Sequence, residues 1–277
     1  MQVDVFSPTP YLGNPLAVVL DGTDLSDEQM LRFARWTNLS ETTFLLPPSP
    51  EGRAQGADYR VRIFTSGGEL PFAGHPTLGS CHAWLAAGNQ AAQTGRVVQE
   101  CAKGLVPLRL HEDMLAFAAP PSVRRPIAEE RLAPVLHALG LVRVDVFACQ
   151  QLDNGPNFWA LLLTNAQRVL GVQPDLPALH ALGVDVGLAA LHPSTQPGVE
   201  VRVFFRAGST MREDPITGSF NASLAQWLLD EGYIQAPYRA SQGAALGMDG
   251  RVHIEQEGDT VWVGGHVATR VRGEVWL

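Results

Sequence analysis

The chain has 277 residues and a formal net charge of −8, and 45% of its residues are hydrophobic against 17% charged. This composition predicts a packed globular protein and excludes extensive disorder and a basic nucleic-acid-binding surface. The longest apolar stretches are far shorter than a membrane span, the first residues lack the regions of a signal peptide, and three cysteines form no CxxC pair. We therefore expect a cytoplasmic protein without disulfide bonds, membrane contact or nucleic-acid partners.

The first half of the chain combines short strands with one amphipathic helix. Residues 25–36 have an apolar face at helical spacing, and Ser26 with Gln29 fits a capping box, so this segment predicts a helix. Strands are predicted where apolar or alternating residues are bounded by Gly, Pro, Asn or Asp, at residues 3–6, 15–20, 42–47 and 59–64.

The second half has the same mixed character. Short helices are predicted at residues 129–139 and 176–182, and the prolines of residues 118–126 favour an extended linker between two halves, 1–120 and 121–277. The final strand is expected to return to the first half. The predicted strands are residues 158–163, 201–205, 251–255 and 260–267.

Three segments recur in the same order about 140 residues apart, which indicates an internal duplication. After the third segment of each set, a helical stretch ends at a glycine suited to a left-handed C-cap, Gly88 or Gly232. The sequence therefore predicts an α+β fold of two similar halves. The matched pairs are Val3–Phe6 with Val144–Phe147, Val61–Phe64 with Val201–Phe204, and His75–Ser80 with Asp214–Ser219.

A loop-to-helix junction in each half is a candidate anion site. Helix N-termini present unpaired N–H groups and a partial positive charge, which suits a carboxylate or phosphate. Two such junctions related by pseudo-twofold symmetry are expected to face each other across a cleft. Ordinary helix capping explains the same residues equally well at this stage.

Side chains that differ between the two junctions are the candidate catalytic groups. His75 of the first half is matched with Asp214 of the second, and each precedes a proline. Glu41 precedes an apolar strand, where a general acid/base can be held rigidly. An ordinary solvent-exposed acid in a loop would give the same sequence pattern. Glu213 is expected to raise the pKa of Asp214 by repulsion if both carboxyls are buried.

Common cofactor chemistry has little support in the sequence. Lys103 is the only lysine, so a Schiff-base mechanism would depend on one residue. The GxxxxGK[ST], GxGxxG, GxSxG and HExxH motifs are absent, and the eight histidines show no HxH or HxxxH spacing. Cys81 follows the first junction, where a buried packing role is expected. The sequence thus predicts neither a metal nor an organic cofactor.

Five ordered blocks of the chain carry a family resemblance: DVFSPTPYLGNPLAVVL, NLSETTF, RIFTSGGELPFAGHPTLGS, GLVPLRL and REDPITGS. With these blocks the chain resembles the phenazine-biosynthesis PhzF-like family, and the likeness extends from the first strand to the C-terminal residues 263–277. The family is similar in fold to diaminopimelate epimerase, with two pseudo-symmetric halves, each a β-barrel-like sheet wrapped around a central helix.

The resemblance implies a cofactor-independent isomerase that moves a proton on a small carboxylate substrate held between the halves. The best-known member isomerises trans-2,3-dihydro-3-hydroxyanthranilate to its keto form. The implied catalytic residues are Glu41, His75 and Asp214, with the substrate carboxylate bound near Gly74, Gly218 and Ser219. The resemblance also implies a homodimer.

Some features leave alternatives open. Related epimerases and racemases use two thiols at the helix starts, which this chain lacks, yet an epimerase that uses carboxyl groups fits the same residues. A non-catalytic small-acid-binding protein would keep the anion pocket without needing Glu41. The run Ser66–Gly68 departs from the residues that are usual in the family at this position, and it is expected to reshape one rim of the pocket.

Overall fold

The computed structural model describes residues 1–111, 114–192 and 198–277. Within these residues no helix is long and apolar enough to cross a membrane. The helices are α1 (Asp27–Thr37), α2 (Pro50–Ala54), α3 (Gly74–Ala86), α4 (Glu129–Ala138), α5 (Ala166–Leu170), α6 (Leu176–Leu182) and α7 (Gly218–Asp230). The strands are β1 (Gln2–Val5), β2 (Asn14–Val19), β3 (Thr42–Leu46), β4 (Tyr59–Phe64), β5 (Glu69–Leu70), β6 (Arg96–Cys101), β7 (Gly104–His111), β8 (Met114–Ala118), β9 (Val123–Arg125), β10 (Val146–Asp153), β11 (Asn157–Leu163), β12 (Asp185–Leu191), β13 (Val199–Ala207), β14 (Thr210–Asp214), β15 (Tyr238–Gln242), β16 (Gly250–Glu257) and β17 (Thr260–Val271).

The first half forms a closed eight-stranded barrel around α3. Its strands follow the order β1, β2, β3, β4, β6, β7, β8 and β17, and β17 pairs with β1 to close the ring. Alternate residues of each strand point inward, as in the buried–partly buried alternation of β4, and they pack on α3. The parallel pair β4–β6 requires a crossover connection, and this crossover contains α3.

The second half repeats this arrangement around α7. Its strands follow the order β9, β10, β11, β12, β13, β15, β16 and β17, with the same succession of parallel and antiparallel pairs. Helix α7 is buried on nearly every face by apolar residues such as Phe220, Leu224 and Leu228, as a helix inside a sheet must be. The predicted duplication and the α+β class are confirmed.

Strand β17 belongs to both sheets. Residues 260–264 pair with β16, residues 262–266 pair with β8, and residues 267–271 pair with β1. Within the predicted linker, β9 pairs with β10 as an edge strand, so part of that segment joins the second sheet. The boundary near residue 120 stays a prediction.

The pairing of His75 with Asp214 as symmetry equivalents is wrong. Helix α3 begins at Gly74, so His75 and Pro76 lie in its first turn, whereas Asp214 ends β14 four residues before α7 begins. The strand pairing agrees with this. In the repeated strand Val203 corresponds to Ile63, and Val203 pairs with Asp214 whereas Ile63 pairs with Leu70, so Leu70 is the symmetry equivalent of Asp214. The matched prolines misled the alignment, because one lies in a helical first turn, where proline is well tolerated, and the other lies in a loop.

Helices outside the barrels explain the remaining patterns. The capping box of α1 is present, with reciprocal bonds between Ser26 and Gln29, and the glycines after α3 and α7 have φ of +93° and +70° as predicted. Helices α4 and α6 match their predicted segments and cover the outer face of the second sheet. The short helices α2 and α5 were not predicted, because one turn and a half is too short for a clear periodicity.

Candidate active site

The two central helices begin in direct contact at two glycines. A Cβ atom at Gly74 would lie 2.6 Å from the Gly218 Cα and the Ser219 nitrogen, and one at Gly218 would lie 2.9 Å from the Gly74 Cα. No other residue type permits this approach, because the neighbouring atoms are backbone. The two N-termini predicted to face each other therefore meet between the halves.

Neither helix start has a side-chain cap. The residues before them, Ala73 and Thr217, make no capping hydrogen bond, whereas Ser26, Ser49, Asn165 and Asp175 cap α1, α2, α5 and α6. The first N–H groups of α3 and α7 consequently lack the usual partner, and both helix dipoles point their positive ends at the same place. This arrangement suits a bound carboxylate.

Glu41 lies between α1 and β3 and contacts the start of α3. Asn38 ends α1 in the left-handed conformation, with φ of 54°, and the chain then turns so that Glu41 directly precedes β3. Its Oε2 lies 3.4 Å from Nε2 of His75, and the two side chains are 12% and 3% exposed. Burial, together with the charge of Asp214, raises the Glu41 pKa well above its ordinary value.

His75 occupies the second position of α3 and is neutral. Burial lowers the pKa of its ring from 6.5 to about 3, because the charged form would lose its hydration. Its Nδ1 lies 3.3 Å from the amide nitrogen of Asn14. A neutral imidazole provides one hydrogen-bond donor and one acceptor at this site.

Asp214 receives three hydrogen bonds at its carboxylate. Asn14 Nδ2 and Ser40 Oγ donate to Oδ1, each at 3.0 Å, and Thr217 Oγ1 donates to Oδ2 at 2.7 Å. Burial is the larger effect and raises the Asp214 pKa to about 6. Glu213 adds to the rise as predicted, although as a minor cause.

Glu213 itself is held away from the site by Arg202. Both oxygens of Glu213 accept from the Arg202 guanidinium at 2.8 Å, and Arg202 also donates to carbonyls at the end of α5. This bidentate pair keeps the Glu213 charge compensated. The second carboxylate singled out in the sequence is thus a structural ion pair.

A small cavity lies between the halves at these residues. Its volume is about 130 Å³, and its wall includes the residue before α3, the start of α7 and strands of both sheets. A larger surface cavity of about 510 Å³, between α1 and residues 274–277, contains none of the predicted site residues. The small cavity is lined by Glu41, Thr65, Leu70, Ala73, Pro156, Phe158, Asp185, Phe205, Arg206, Asp214, Thr217 and Ser219.

The six predicted site residues come together. Glu41, Asp214 and Ser219 line the cavity, His75 contacts Glu41, and the remaining two are the glycines in contact. The Ser66–Gly68 turn lies beside Gly208 of the opposite hairpin, and Thr65 next to it lines the cavity. The expected change at one rim stays a prediction.

Sequence reasoning missed the buried amides around the site. Gln242 donates to the Asp214 carbonyl and to Thr217 Oγ1, and its own oxygen accepts from the Thr217 backbone N–H. Asn154 donates to the carbonyl of Ser219 at 2.8 Å. Single amides at strand ends carry no periodic signal, so only their tertiary contacts identify them.

The cysteines lie outside this chemistry. All three are free, and Cys81 is completely buried in the core with its thiol pKa raised by burial. A protonated, buried thiol is a poor nucleophile. The packing role expected for Cys81 agrees with this environment.

Comparison with known proteins identifies the family. Residues 3–274 match the sequence model of the PhzC-PhzF family, described as phenazine biosynthesis-like protein. The chain is 33% identical to trans-2,3-dihydro-3-hydroxyanthranilate isomerase of Pseudomonas aeruginosa, over 99% of this chain and 98% of that protein. It is 31% identical to antisense-enhancing sequence 1 of Schizosaccharomyces pombe, over 100% and 98% of the two chains.

A solved structure supports the same relationship. A predicted epimerase from Pseudomonas aeruginosa superimposes with a TM-score of 0.81 at 27% identity, covering 100% of this chain and 98% of that one. Together with the duplicated barrels and the site between them, these matches show that the chain belongs to the PhzC-PhzF family of phenazine biosynthesis-like proteins.

Proposed function

We propose that this protein is a cofactor-independent isomerase that moves a proton on a small cyclic carboxylate, similar to trans-2,3-dihydro-3-hydroxyanthranilate. The observation that carries the proposal is the convergence of Glu41, His75 and Asp214, from opposite halves, where two uncapped helix starts meet. Relatives that match over nearly their whole length are named isomerases of that compound.

The cavity supports a substrate of limited size. An apolar protein cavity of about 150 Å³ accepts benzene, so the volume of about 130 Å³ suits a single small ring. Its wall combines aromatic rings and aliphatic groups with three carboxyl groups and the guanidinium of Arg206. We place the substrate carboxylate at the N–H groups of Gly74, Gly218 and Ser219, where both helix dipoles favour negative charge.

A comparison of the two buried carboxyl groups favours Glu41 as the initial acid. Two buried carboxyls that repel each other do not both ionise readily, and Asp214 has three donors that stabilise its charged form. The proton therefore resides on Glu41. Glu41 therefore gives up its proton before it removes one.

The catalytic cycle then balances without a cofactor. Protonated Glu41 donates its proton to one carbon of the conjugated substrate, and the resulting carboxylate removes a proton from another carbon. Glu41 is regenerated in its acid form and the double bond has moved. His75 and Asp214 hydrogen-bond the polar groups of the substrate and stabilise charge as it shifts.

Replacement of Glu41 tests the proposal. Glu41→Gln keeps the shape but cannot shuttle a proton, so kcat for trans-2,3-dihydro-3-hydroxyanthranilate, followed by its ultraviolet absorbance, is expected to fall about 10²–10⁴-fold. Glu51→Gln, on the exposed helix α2, is the matched control and should keep wild-type kcat. Near-normal turnover by Glu41→Gln would overturn the assignment.

Incubation in D₂O separates the remaining alternatives. An isomerase deposits deuterium at the carbon that receives the proton and moves the double bond. An epimerase exchanges the hydrogen of one stereocentre, and a binding protein exchanges none. Cytoplasmic location and homodimeric assembly stay predictions from the sequence.

A further inference from the structure

Asn14 connects the two halves at the site. It begins β2 in the first half, its side chain is completely buried, and its amide nitrogen donates to Asp214 Oδ1 at 3.0 Å and to the carbonyl of Ile216 at 2.8 Å in the second half. The same nitrogen lies 3.3 Å from Nδ1 of His75. One side chain therefore contacts both the carboxylate and the imidazole of the proposed catalytic group.

The contacts of Asn14 determine which way its amide faces. A carbonyl oxygen accepts only, and so does an ionised carboxylate, so the atom that faces Ile216 and Asp214 must be the NH₂ group. The oxygen of the amide points elsewhere, because an oxygen there would oppose two acceptors. The orientation follows from chemistry at two independent partners.

An amide nitrogen has no lone pair available as a hydrogen-bond acceptor. A proton on His75 Nδ1 would point at the NH₂ group of Asn14 and find no acceptor there. With Nδ1 unprotonated, its lone pair lies beside an NH₂ group whose two hydrogens point at Ile216 and Asp214, and no donor on the ring is left without an acceptor at this nitrogen. The neutral ring then carries its proton on Nε2.

The protonated nitrogen faces Glu41. His75 Nε2 and Glu41 Oε2 are 3.4 Å apart, and both atoms are buried without a hydrogen-bond partner in the described residues. The separation is slightly longer than an ordinary N–H···O bond, as is common for catalytic contacts before substrate binds. His75 is thus poised as a hydrogen-bond donor towards Glu41.

We propose that Asn14 is a positioning residue that fixes His75 in the Nε2–H tautomer, so that the histidine donates a hydrogen bond at the site and cannot accept a proton there. The catalytic consequence of this tautomer rests on the proposed function. In that role, Asn14 leaves Glu41, and not His75, as the group that both gives and takes the proton.

The tautomer can be measured without substrate. Protein labelled with ¹⁵N in its histidine rings gives distinct nitrogen–proton coupling patterns for the two tautomers, and the spectrum of His75→Gln identifies the His75 signals among the eight histidines. We expect a single Nε2–H form in the wild-type protein. An Nδ1–H form, or a mixture of both, would overturn the proposal.

A substitution at Asn14 tests the cause. Asn14→Asp retains the size but places a carboxyl oxygen near Nδ1, so we expect the His75 proton to move to Nδ1 and kcat to fall about 10²-fold or more, with a smaller change in KM. Asn14→Leu removes the donor and is expected to give a mixture of tautomers. Unchanged Nε2–H spectra in both variants would show that Asn14 does not set the tautomer.

A matched variant separates positioning from stability. Ser80→Ala removes a buried hydrogen bond to Thr43 from the same helix as His75, at 2.9 Å in the wild type. It should lower Tm while leaving the tautomer and kcat unchanged. If the wild type shows the Nε2–H form but does not turn over the dihydro acid, the proposed function fails and the tautomer assignment stands.

Discussion

The contact between the two helix starts predicts a large effect of one methyl group. In Gly74→Ala the new Cβ would lie 2.6 Å from the Gly218 Cα and the Ser219 nitrogen. Carbon atoms prefer a separation of about 3.5–4.0 Å, so α3 and α7 must move apart by about 1 Å. Alanine keeps the backbone N–H, so no hydrogen-bond donor is lost.

The displacement should affect activity more than folding. Overpacking costs about 1–3 kcal/mol, which lowers Tm by several degrees in a chain of this size. A misplacement of about 1 Å in a catalytic site costs about 10²-fold in rate, so kcat for the dihydro acid is expected to fall by about that factor. Thermal melts and the ultraviolet assay measure both quantities.

A second glycine of α3 provides the control. A Cβ at Gly79 would lie 2.5 Å from Leu16 Cδ2 and 2.9 Å from Val3 Cγ2, which are side-chain atoms away from the helix start. Gly79→Ala should therefore lower Tm by a comparable amount and retain kcat within about threefold. Wild-type activity in Gly74→Ala would refute the reasoning, because the site would tolerate separation of the helix starts.

Two further predictions follow from charges at the cavity. Burial raises the Asp214 pKa from 3.8 to about 6, so the folded protein binds this proton more tightly than the unfolded chain does. The resulting stabilisation of the folded state is complete below about pH 4 and is lost as the pH rises through 6. Asp214→Asn is therefore expected to inactivate the enzyme yet raise the free energy of unfolding at pH 8 by up to about 3 kcal/mol, with little gain at pH 4; an equal effect at both pH values in thermal melts would contradict this. Arg206 is 45% exposed, bonds to Asp185 at 2.9 Å and is the cationic residue of the cavity wall. Arg206→Gln should raise KM for the carboxylate substrate about fivefold with little change in kcat, since exposed charge pairs contribute about 1 kcal/mol or less; Arg53→Gln on α2 is the control, and a KM equal to wild type would exclude Arg206 from substrate attraction.

The unusual protonation of the site follows from its position between two packed barrels. Glu41, His75 and Asp214 are each buried, and burial shifts all three pKa values towards the neutral form. The hydrogen bonds from Ser40, Asn14 and Thr217 favour the charged form of Asp214 alone. In the proposed mechanism two carboxyl groups thereby have different tasks, Glu41 as the proton carrier and Asp214 as a fixed charge.

The sequence by itself determined the repeat and the fold class, and it singled out six candidate site residues. Each strand or helix shows its own hydrophobic period, because one of its faces is buried. The recurrence of these patterns about 140 residues apart can therefore be read from the sequence alone. Capping residues and C-terminal glycines likewise indicate where a helix begins or ends, and Ser26, Gly88 and Gly232 marked such ends correctly. The ordered blocks that resemble a family then supplied the roles proposed for these residues.

Only the tertiary structure decided how these residues act on one another. The equivalence of His75 and Asp214 failed because matched prolines occupy different structural positions in the two halves. The amides of Asn14 and Gln242 became visible only through contacts with residues about 200 and 25 positions away in the chain. Whether a carboxyl is charged depends on burial and on donors from both halves, and these arise from the folded arrangement rather than from any local pattern.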